Sequence, residues 1–372
     1  MYFKISKKEF YDALSTVSRA ISNYSPLPAF SGIKFEVSSN EICLIGSDSD
    51  ISIKTYLKTN DEYSLTIVKE GSIVIEAKYI LDIVRKIDSD IIEVEVLDGC
   101  TTRISGNRSE YKINGMYANE YPMIDFSRCK DELEMDCSIL KSIISETTFA
   151  TSEKDTRPVL SGVNFECNGS TLKCVSTDSY RLSEKYVDIN TNLKFNITIP
   201  AKSLNEVIKS LDETSKVILS ISDKKVQFIL NSVVIQTRLI DGLYPDTSRL
   251  IPTSFKYRLT VDLKEFLSAI DRISFIKNDG VSVICLSLNK DECILSSKSR
   301  EVGSAVEILS SASYEGEDMN ISFNGKYVYD ALRVIKSQLV TVDLNGTMNP
   351  FIIKGLDENK LTELILPVRT YA

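Results

Sequence analysis

One short segment occurs three times along this chain, at a spacing of 124 residues. Each occurrence is an apolar run that ends in a lysine, as expected for a strand that leads into a helix. The three segments are Ile73-Val74-Ile75-Glu76-Ala77-Lys78, Ile197-Thr198-Ile199-Pro200-Ala201-Lys202 and Ile321-Ser322-Phe323-Asn324-Gly325-Lys326. Because self-similarity at a fixed period is typical of repeated structural units, the sequence predicts three tandem copies of one domain. Turn-rich joints near Tyr121-Pro122 and Ile251-Pro252 predict copies that span residues 1–126, 127–253 and 254–372.

Each copy is predicted to contain two helices. Apolar residues stand 2, 5, 6 and 9 positions after each repeated lysine, which is the period of a helix with one buried face. Another helix opens each copy after a short strand, with Ser6, Asp136 and Asp262 at the expected N-caps. The predicted helices cover residues 7–20, 77–87, 137–150, 201–211, 262–274 and 324–337. Alternating runs elsewhere predict about eight strands per copy, and therefore an α+β fold.

A basic stripe recurs on one helix of each copy. The position seven residues after each repeated lysine is basic, and at about 100° per residue it lies within about 20° of that lysine, opposite the apolar face. The stripes are Lys78 with Arg85, Lys202 with Lys209, and Lys326 with Arg333. The predicted helices are net basic although the chain carries a net charge of −8, so positive charge is concentrated on them. Such stripes favour contact with phosphates, without readout of base sequence.

Two other interpretations of the stripes remain open. Lysine and arginine are good helix formers that keep a helix surface soluble, but recurrence at the same two positions favours a polyanion partner. That partner could be an acidic protein instead of DNA. An enzyme is a further alternative, using carboxylates such as Asp48 and Asp50, or Asp178, in the turns of the first two copies. The chain has no histidine, which removes the histidine-dependent nucleophile arrangements and the usual base at neutral pH, so we expect a non-catalytic protein.

Composition also constrains the location of the protein and its cofactors. The eight cysteines are scattered and form no C-x-x-C pair, so we expect reduced thiols and neither a metal site nor a cofactor. No run approaches the roughly 20 apolar residues of a membrane span, and the first residues lack the apolar run of a signal peptide. We therefore expect a cytoplasmic protein that does not bind membranes.

Several short motifs resemble those of the bacterial DNA polymerase III beta subunit family, the replicative sliding clamps. The motifs are Arg157-Pro158-Val159-Leu160-Ser161-Gly162-Val163, Ser176-Thr177-Asp178-Ser179-Tyr180-Arg181-Leu182, Tyr244-Pro245-Asp246, Asn349-Pro350-Phe351 and Ile365-Leu366-Pro367-Val368-Arg369. The resemblance covers the whole chain. It implies a closed ring of two chains joined head to tail, in which helices line a pore around duplex DNA. Such a ring tethers the replicative polymerase and confers processivity.

The resemblance also implies three sets of site residues. Arg19 and Lys154 join the six stripe residues as DNA-facing positions. Tyr111 and Ile113 would meet Phe275 and Ile276 of the other chain. A pocket between the second and third domains would take linear peptides from the polymerase, the clamp loader, other polymerases and repair proteins. Its members would be Leu160, Thr177, Ser179, Tyr180, Arg181, Leu182, Pro245, Arg249, Leu250, Asn324, Tyr327, Met348, Pro350, Leu366, Pro367, Val368 and Arg369.

The chain departs from the family pattern at three places. The family often has glycine where this chain has Ser179, and commonly a small residue or histidine where it has Tyr180. We expect both changes to reshape the pocket. Some relatives carry a DNA-contacting basic residue in the loop that here reads Asn23-Tyr24-Ser25, and Lys154 could supply a contact instead.

Overall fold

The computed structural model describes residues 1–22, 27–59, 64–154 and 156–369. The loop Asn23-Tyr24-Ser25 lies outside these residues. The chain forms two compact units, one made of Met1–Leu140 with Lys202–Leu239 and the other of Lys141–Ala201 with Ile240–Ala372. The division therefore falls inside the second predicted copy, which contributes to both units.

Six α-helices lie within the described residues, two in each copy. They are α1 (Lys7–Ser18), α2 (Ala77–Lys86), α3 (Cys137–Thr147), α4 (Ala201–Val207), α5 (Leu263–Ile273) and α6 (Gly325–Leu332). Every helix begins within one residue of its predicted start. The helices end earlier than predicted, and after α3 and α4 the chain tightens into 3₁₀ turns at Thr148–Ala150 and Ile208–Ser210. Such turns are common where a helix finishes.

The predicted N-caps have different outcomes. The side chain of Asp262 accepts a hydrogen bond from the backbone N–H of Glu265 at 3.0 Å, which confirms this cap. Ser6 stands at the N-cap position as predicted, but its hydroxyl donates to the carboxylate of Glu9 and does not cap the backbone. Asp136 as an N-cap stays a prediction.

The strands number nine, eight and nine in the successive copies of the described chain, close to the predicted eight. The first copy has β1 (Tyr2–Ser6), β2 (Gly32–Val37), β3 (Glu41–Ser47), β4 (Ile51–Lys58), β5 (Thr66–Lys69), β6 (Gly71–Glu76), β7 (Ile91–Val96), β8 (Thr101–Gly106) and β9 (Ser109–Asn114). The second has β10 (Asp131–Asp136), β11 (Gly162–Cys167), β12 (Thr171–Thr177), β13 (Arg181–Asp188), β14 (Phe195–Pro200), β15 (Lys216–Ile221), β16 (Lys225–Leu230) and β17 (Val233–Arg238). The third has β18 (Tyr257–Asp262), β19 (Val283–Leu288), β20 (Cys293–Ser299), β21 (Gly303–Ile308), β22 (Ser313–Glu315), β23 (Met319–Asn324), β24 (Leu339–Leu344), β25 (Phe351–Gly355) and β26 (Leu361–Ile365).

The first unit holds two antiparallel sheets. One has the order β5-β1-β7-β8-β9, and the other has the order β10-β15-β16-β17-β4-β3-β2-β6. The second sheet joins the first copy to the second copy, because β4 pairs with β17 in a register that sets Ile53 opposite Ile235. Edge-to-face packing of Phe10 against Phe3 and Phe35 fills the space under α1.

The second unit repeats this plan. Its sheets have the orders β14-β11-β12-β13-β26-β25-β24-β18-β22 and β21-β20-β19-β23. Strand β13 of the second copy pairs with β26 of the third copy, and Leu182 lies opposite Leu364. Each junction between copies is therefore a continuous run of backbone hydrogen bonds, which brings side chains of two copies onto one sheet surface.

Candidate functional site

The three stripe helices bury the predicted apolar face and expose the predicted basic residues. Of the twelve apolar positions, Ile83 and Ile208 are half-buried and the other ten are buried. All six stripe cations are exposed: Lys78, Arg85, Lys202, Lys209, Lys326 and Arg333. The predicted stripe thus has the accessibility that contact with a polyanion requires.

Each stripe also carries a carboxylate that was not predicted. It stands four residues after the repeated lysine in every copy, as Asp82, Glu206 and Asp330. The distance is 2.6 Å from Asp82 to Arg85, 2.8 Å from Glu206 to Lys209, and 2.6 Å from Asp330 to Lys326. The spacing that identified the basic positions also contains this signal, because residues four apart share a helix face.

Arg19 and Lys154 differ from the stripe residues in their surroundings. Arg19 is half-buried, and its guanidinium donates to the hydroxyl of Ser210 from the second copy. Burial lowers the pKa of Arg19. The exposed Lys154 lies in the loop after α3 and lines a cavity described below. Arg19 therefore holds the first junction between copies, and any contact with DNA would use only part of its side chain.

The acidic turns of the first two copies are built alike. One oxygen of Asp178 accepts the backbone N–H groups of Tyr180 and Arg181 at 2.9 and 3.0 Å. Asp48 accepts two backbone N–H groups in the same way, at 3.0 and 2.9 Å. Side chains of this type commonly stabilise tight turns. These two carboxylates thus have structural roles, which counts against the enzyme alternative.

Arg181 is the centre of an ion-pair cluster in the second unit. Its Nε lies 3.0 Å from Asp178 Oδ2, and its Nη1 lies 2.7 Å from Asp330 Oδ2. The guanidinium also lies over the rings of Tyr327 and Phe149, with its carbon 4.6 and 5.4 Å from their centroids. These two ion pairs and two ring contacts hold the planar fork of the arginine in one orientation.

A cavity of about 520 Å³ opens beside Arg181. Four predicted pocket residues line it, namely Tyr180, Arg181, Asn324 and Tyr327. Lys154 and Lys326 line it as well, so two predicted DNA-facing residues reach the same cavity. Sequence reasoning missed several other lining residues, among them Asp271, Lys277 and Val281, which lie on α5 or the loop that follows it.

An apolar cluster lies on the sheet where β13 meets β26. Its buried members are Val175, Leu182 and Leu364, and Tyr244, Ile251 and Leu366 pack against them. Burial raises the pKa of the Tyr244 hydroxyl. Leu182 and Leu366 were predicted. The others were missed because apolar residues on strands are most often core residues.

The C-terminal segment is fixed beside this cluster by its backbone. The N–H of Leu366 donates to the carbonyl of Tyr180 at 2.9 Å, and the N–H of Val368 donates to the carbonyl of Ser322 at 2.7 Å. Pro367 stands between them, where it need not donate. This segment therefore extends the edge of the pocket instead of forming part of a central strand.

The other predicted pocket residues are not gathered into one surface by these features. Leu160 and Thr177 are buried near the cluster strands, whereas Pro245, Arg249, Leu250, Met348 and Arg369 are exposed. Met348 and Pro350 belong neither to the cavity lining nor to the apolar cluster of the described residues. Their place in the pocket stays a prediction.

The predicted interface residues lie near unpaired sheet edges. Tyr111 and Ile113 are on β9, which ends the five-stranded sheet, and Tyr111 is 36% exposed. Phe275 is 63% exposed, but Ile276 is only 1% exposed and so belongs to the core of its own copy. The assignment of Ile276 to a surface between chains is corrected accordingly, because it follows the end of α5 and turns inward.

Sequence reasoning missed the edge strand β21, which ends the four-stranded sheet. Its Val306 and Ile308 are 64% and 55% exposed. An edge strand with exposed apolar side chains is a ready template for pairing with another chain. The alternating pattern of β21 carries no mark of an edge, since edge position depends on the pairing of the other strands.

Family models match all three copies of the chain. The N-terminal domain of the DNA polymerase III beta subunit matches residues 1–125, the central domain residues 134–246 and the C-terminal domain residues 248–369. The chain belongs to the DNA polymerase III beta subunit family.

Named members of this family are similar to the chain in sequence and structure over its full length. The beta sliding clamp of Bacillus subtilis is 38% identical over 378 residues, with all of both chains covered. The crystal structure of the B. subtilis clamp has a TM-score of 0.95 and 37% identity over all of both chains. The sliding clamp of Bartonella birtlesii, solved with griselimycin bound, has a TM-score of 0.93 and 26% identity over all of both chains.

The family decides between the alternatives that the sequence left open. A beta sliding clamp is a processivity factor of DNA replication and not an enzyme, so the predicted function and the three tandem clamp domains are confirmed. In the described residues of this clamp, no helix is long and apolar enough to cross a membrane.

Proposed function

We propose that two copies of this chain close head to tail into a ring around duplex DNA. Three domains per chain then supply six copies to the ring, and the edge strand β9 of one chain faces the edge strand β21 of the other. The exposed Tyr111, Val306 and Ile308 on these edges support this arrangement, as does the exposed Phe275. Heterologous pairing of this kind closes when the rotation between chains completes a circle.

The DNA surface of the ring is formed by the three basic stripes. The observation that carries this proposal is the exposure of all six cations at one helical register in three copies. Exposed lysine and arginine side chains contact phosphates without reading bases, so binding is independent of sequence and sensitive to salt. Both properties are needed by a protein that slides.

Charge reversal tests the DNA surface directly. Replacing the six stripe cations by glutamate should weaken DNA association and flatten its dependence on salt, while the thermal unfolding of the protein is preserved. Reversal of six exposed lysines outside the stripe helices provides the matched control: Lys58, Lys69, Lys130, Lys194, Lys224 and Lys290. If the salt dependence of DNA association is unchanged in the stripe variant, these helices do not form the DNA surface.

The second binding surface is a partner-peptide pocket formed by the cavity beside Arg181 and the apolar cluster next to it. An apolar floor with a few polar groups at its rim suits one or two aliphatic or aromatic anchors of a linear peptide. The bound griselimycin in the B. birtlesii clamp supports a ligand site in this family. The peptides would come from the replicative polymerase, the clamp loader, other polymerases and repair proteins.

Removal of the C-terminal segment tests the pocket. A chain that lacks residues 366–372 should lose stimulation of the polymerase and keep its dimeric mass, because Leu366 packs on the cluster and the interface edges lie elsewhere. Sedimentation measures the mass, and primer extension measures the stimulation. If the shortened chain loses both the polymerase stimulation and the dimeric mass, this segment belongs to the core and not to the pocket.

We also propose the domain limits 1–126, 127–253 and 254–372, and a place in the cytoplasm where the chromosome is copied. The family-model matches support these limits, since they leave short gaps close to both proposed boundaries.

A further inference from the structure

The carboxylate at the fourth position of each stripe is the feature that the clamp function leaves unexplained. Three helices with otherwise different sequences keep an acid at this register, as aspartate, glutamate and aspartate. A surface that only had to attract DNA would gain by placing a neutral or basic residue there, because each carboxylate removes one unit of positive charge. Helix stability alone does not select this position, since many other pairs on the helix surface would serve.

The ion pairs that Asp82 and Glu206 form on their helices are weak and easily exchanged. In the pair of Asp82 with Arg85, the side chains are 49% and 59% exposed, and Lys86 approaches the same carboxylate at 3.0 Å. In the pair of Glu206 with Lys209, the side chains are 23% and 53% exposed. Ion pairs with this much exposure stabilise a protein little, because water and salt screen their charges. A cation can therefore leave the carboxylate for a passing phosphate and return to it.

Asp82 is fully ionised for this exchange. Its pKa is lowered, first by the hydrogen bond from Lys86 and also by the charges of Lys86 and Arg85. The carboxylate thus stays negative at the pH of the cell and offers the arginine a partner that is always available.

We propose that Asp82 and Glu206 are internal counterions that compete with DNA phosphates for the stripe cations and thereby set how fast the clamp slides. This inference rests on the proposed DNA surface. Each step along the duplex requires cations to leave one phosphate before they reach the next. A carboxylate on the same helix face stabilises the cation between phosphates, which weakens each contact and lowers the barrier to movement.

Asp330 has the same register but a second partner. One of its oxygens lies near both Lys326 and the buried Arg181, at 2.6 and 2.7 Å. Removing this carboxylate would disturb the pocket as well as the stripe. Asp82 and Glu206 are therefore the positions that isolate the effect on DNA.

The test compares two double variants with the same change in net charge. The first is Asp82→Asn with Glu206→Gln, and the second is Asp223→Asn with Asp291→Asn, two exposed residues in hairpin turns outside the six helices. Fluorescent dimers are loaded on stretched duplex DNA by the clamp loader, and their one-dimensional diffusion is tracked at several salt concentrations. The lifetime of the unlabelled complex on nicked circles gives the strength of association.

The proposal expects the first variant to diffuse more slowly and to hold DNA more tightly. Each freed cation should contribute about a twofold gain in affinity, so four in a ring contribute on the order of tenfold. The control variant should behave like the native clamp. Both substitutions are near-isosteric at accessible positions, and each single variant is measured as well, so that a folding defect at one site does not remove the test.

Two contrary results have different meanings. If the first variant diffuses like the native clamp while charge reversal of the stripe abolishes DNA association, the counterion role is wrong and the DNA surface stands. If neither the first variant nor the charge reversal of the stripe changes DNA association, the proposed DNA surface itself is wrong. A faster first variant would also overturn the counterion role.

Discussion

Ser179 has a backbone conformation that favours glycine. Its φ is +77°, and Ser49 in the equivalent turn of the first copy has a φ of +86°. A residue with a Cβ is strained there by about 1 kcal/mol, partly offset by the greater freedom that glycine has in the unfolded chain. This positive φ explains why the family often carries glycine at position 179.

Ser179→Gly should raise the free energy of unfolding by about 0.5 to 1 kcal/mol. Chemical denaturation measures this change, and Ser49→Gly should give a similar gain in the equivalent turn of the first copy. A loss of stability in both variants would show that the serine side chains hold these turns in place.

Glu363 is buried on β26 with little charge compensation of its own. Ser183 donates to its Oε1 at 2.9 Å, but burial raises its pKa well above the usual 4.5, and the nearby Glu146 raises it further. The folded state thus holds a proton that the unfolded state releases. The protonated Glu363 contributes fully to stability below its pKa in the unfolded chain, and this contribution is lost as the pH rises through its pKa in the folded protein.

Glu363→Gln should therefore flatten the decline in stability above about pH 4.5 and stabilise the clamp near neutral pH by about 1 kcal/mol. Thermal melts between pH 5 and pH 8 test this. Glu146→Gln is the matched contrast, because Glu146 pairs with Lys185 at 2.6 Å and its loss should destabilise the protein. Parallel pH profiles for native and Glu363→Gln proteins would contradict the assignment.

At the scale of elements, helix α6 is held to strand β13 by one carboxylate. Asp330 on the helix pairs with Arg181 on the strand, and both side chains are largely buried. Within the described residues, the ion pairs of the equivalent Asp82 on α2 are with Arg85 and Lys86, two exposed residues of its own helix. The same position in the repeat therefore has a packing role in the third copy and a surface role in the first.

Asp330→Asn should cost about 1 kcal/mol or more of stability and weaken the binding of a partner peptide, because Arg181 loses one of its two anchors. Asp82→Asn should change stability much less, because its ion pairs are exposed and screened by water. Urea denaturation and peptide titration provide the two measurements. Equal effects of the two substitutions would refute the distinction between the copies.

Local periodicity explains how much of these elements the sequence could predict. The helix starts and the basic positions follow from residues three, four and seven apart, which share a face whatever the rest of the chain does. The end of α4 was missed because Ile208 continues the apolar period of the helix, although the chain tightens into a 3₁₀ turn there. The edge positions of β9 and β21 and the cavity beside Arg181 depend on pairings between distant segments, which no local spacing contains.

At the scale of the whole molecule, the proposed ring closure depends on edges that are exposed in the single chain. Val306→Asp with Ile308→Asp should convert the dimer into monomers and abolish retention on circular DNA, since charge on an edge strand blocks pairing. Val68→Asp is the control, because Val68 is 57% exposed on β5, the opposite edge of the five-stranded sheet. Mass photometry and retention on circular against linearised DNA measure both outcomes. A double variant that stays dimeric would place the interface elsewhere.

The shared sheets have a consequence for how such a chain can be altered. Strand pairs β4–β17 and β13–β26 run across the joints between copies, so neither joint is a free linker. A single repeat cut out at its boundaries would expose unpaired strand edges, on one sheet for the first or third copy and on two sheets for the second. Exchanging whole repeats between relatives would place strands that did not evolve together side by side in one sheet. A whole compact unit is not one segment either, because its borders with the other unit, at 140/141, 201/202 and 239/240, all lie within the second copy. Transplanting a unit therefore means moving two separate stretches of chain together.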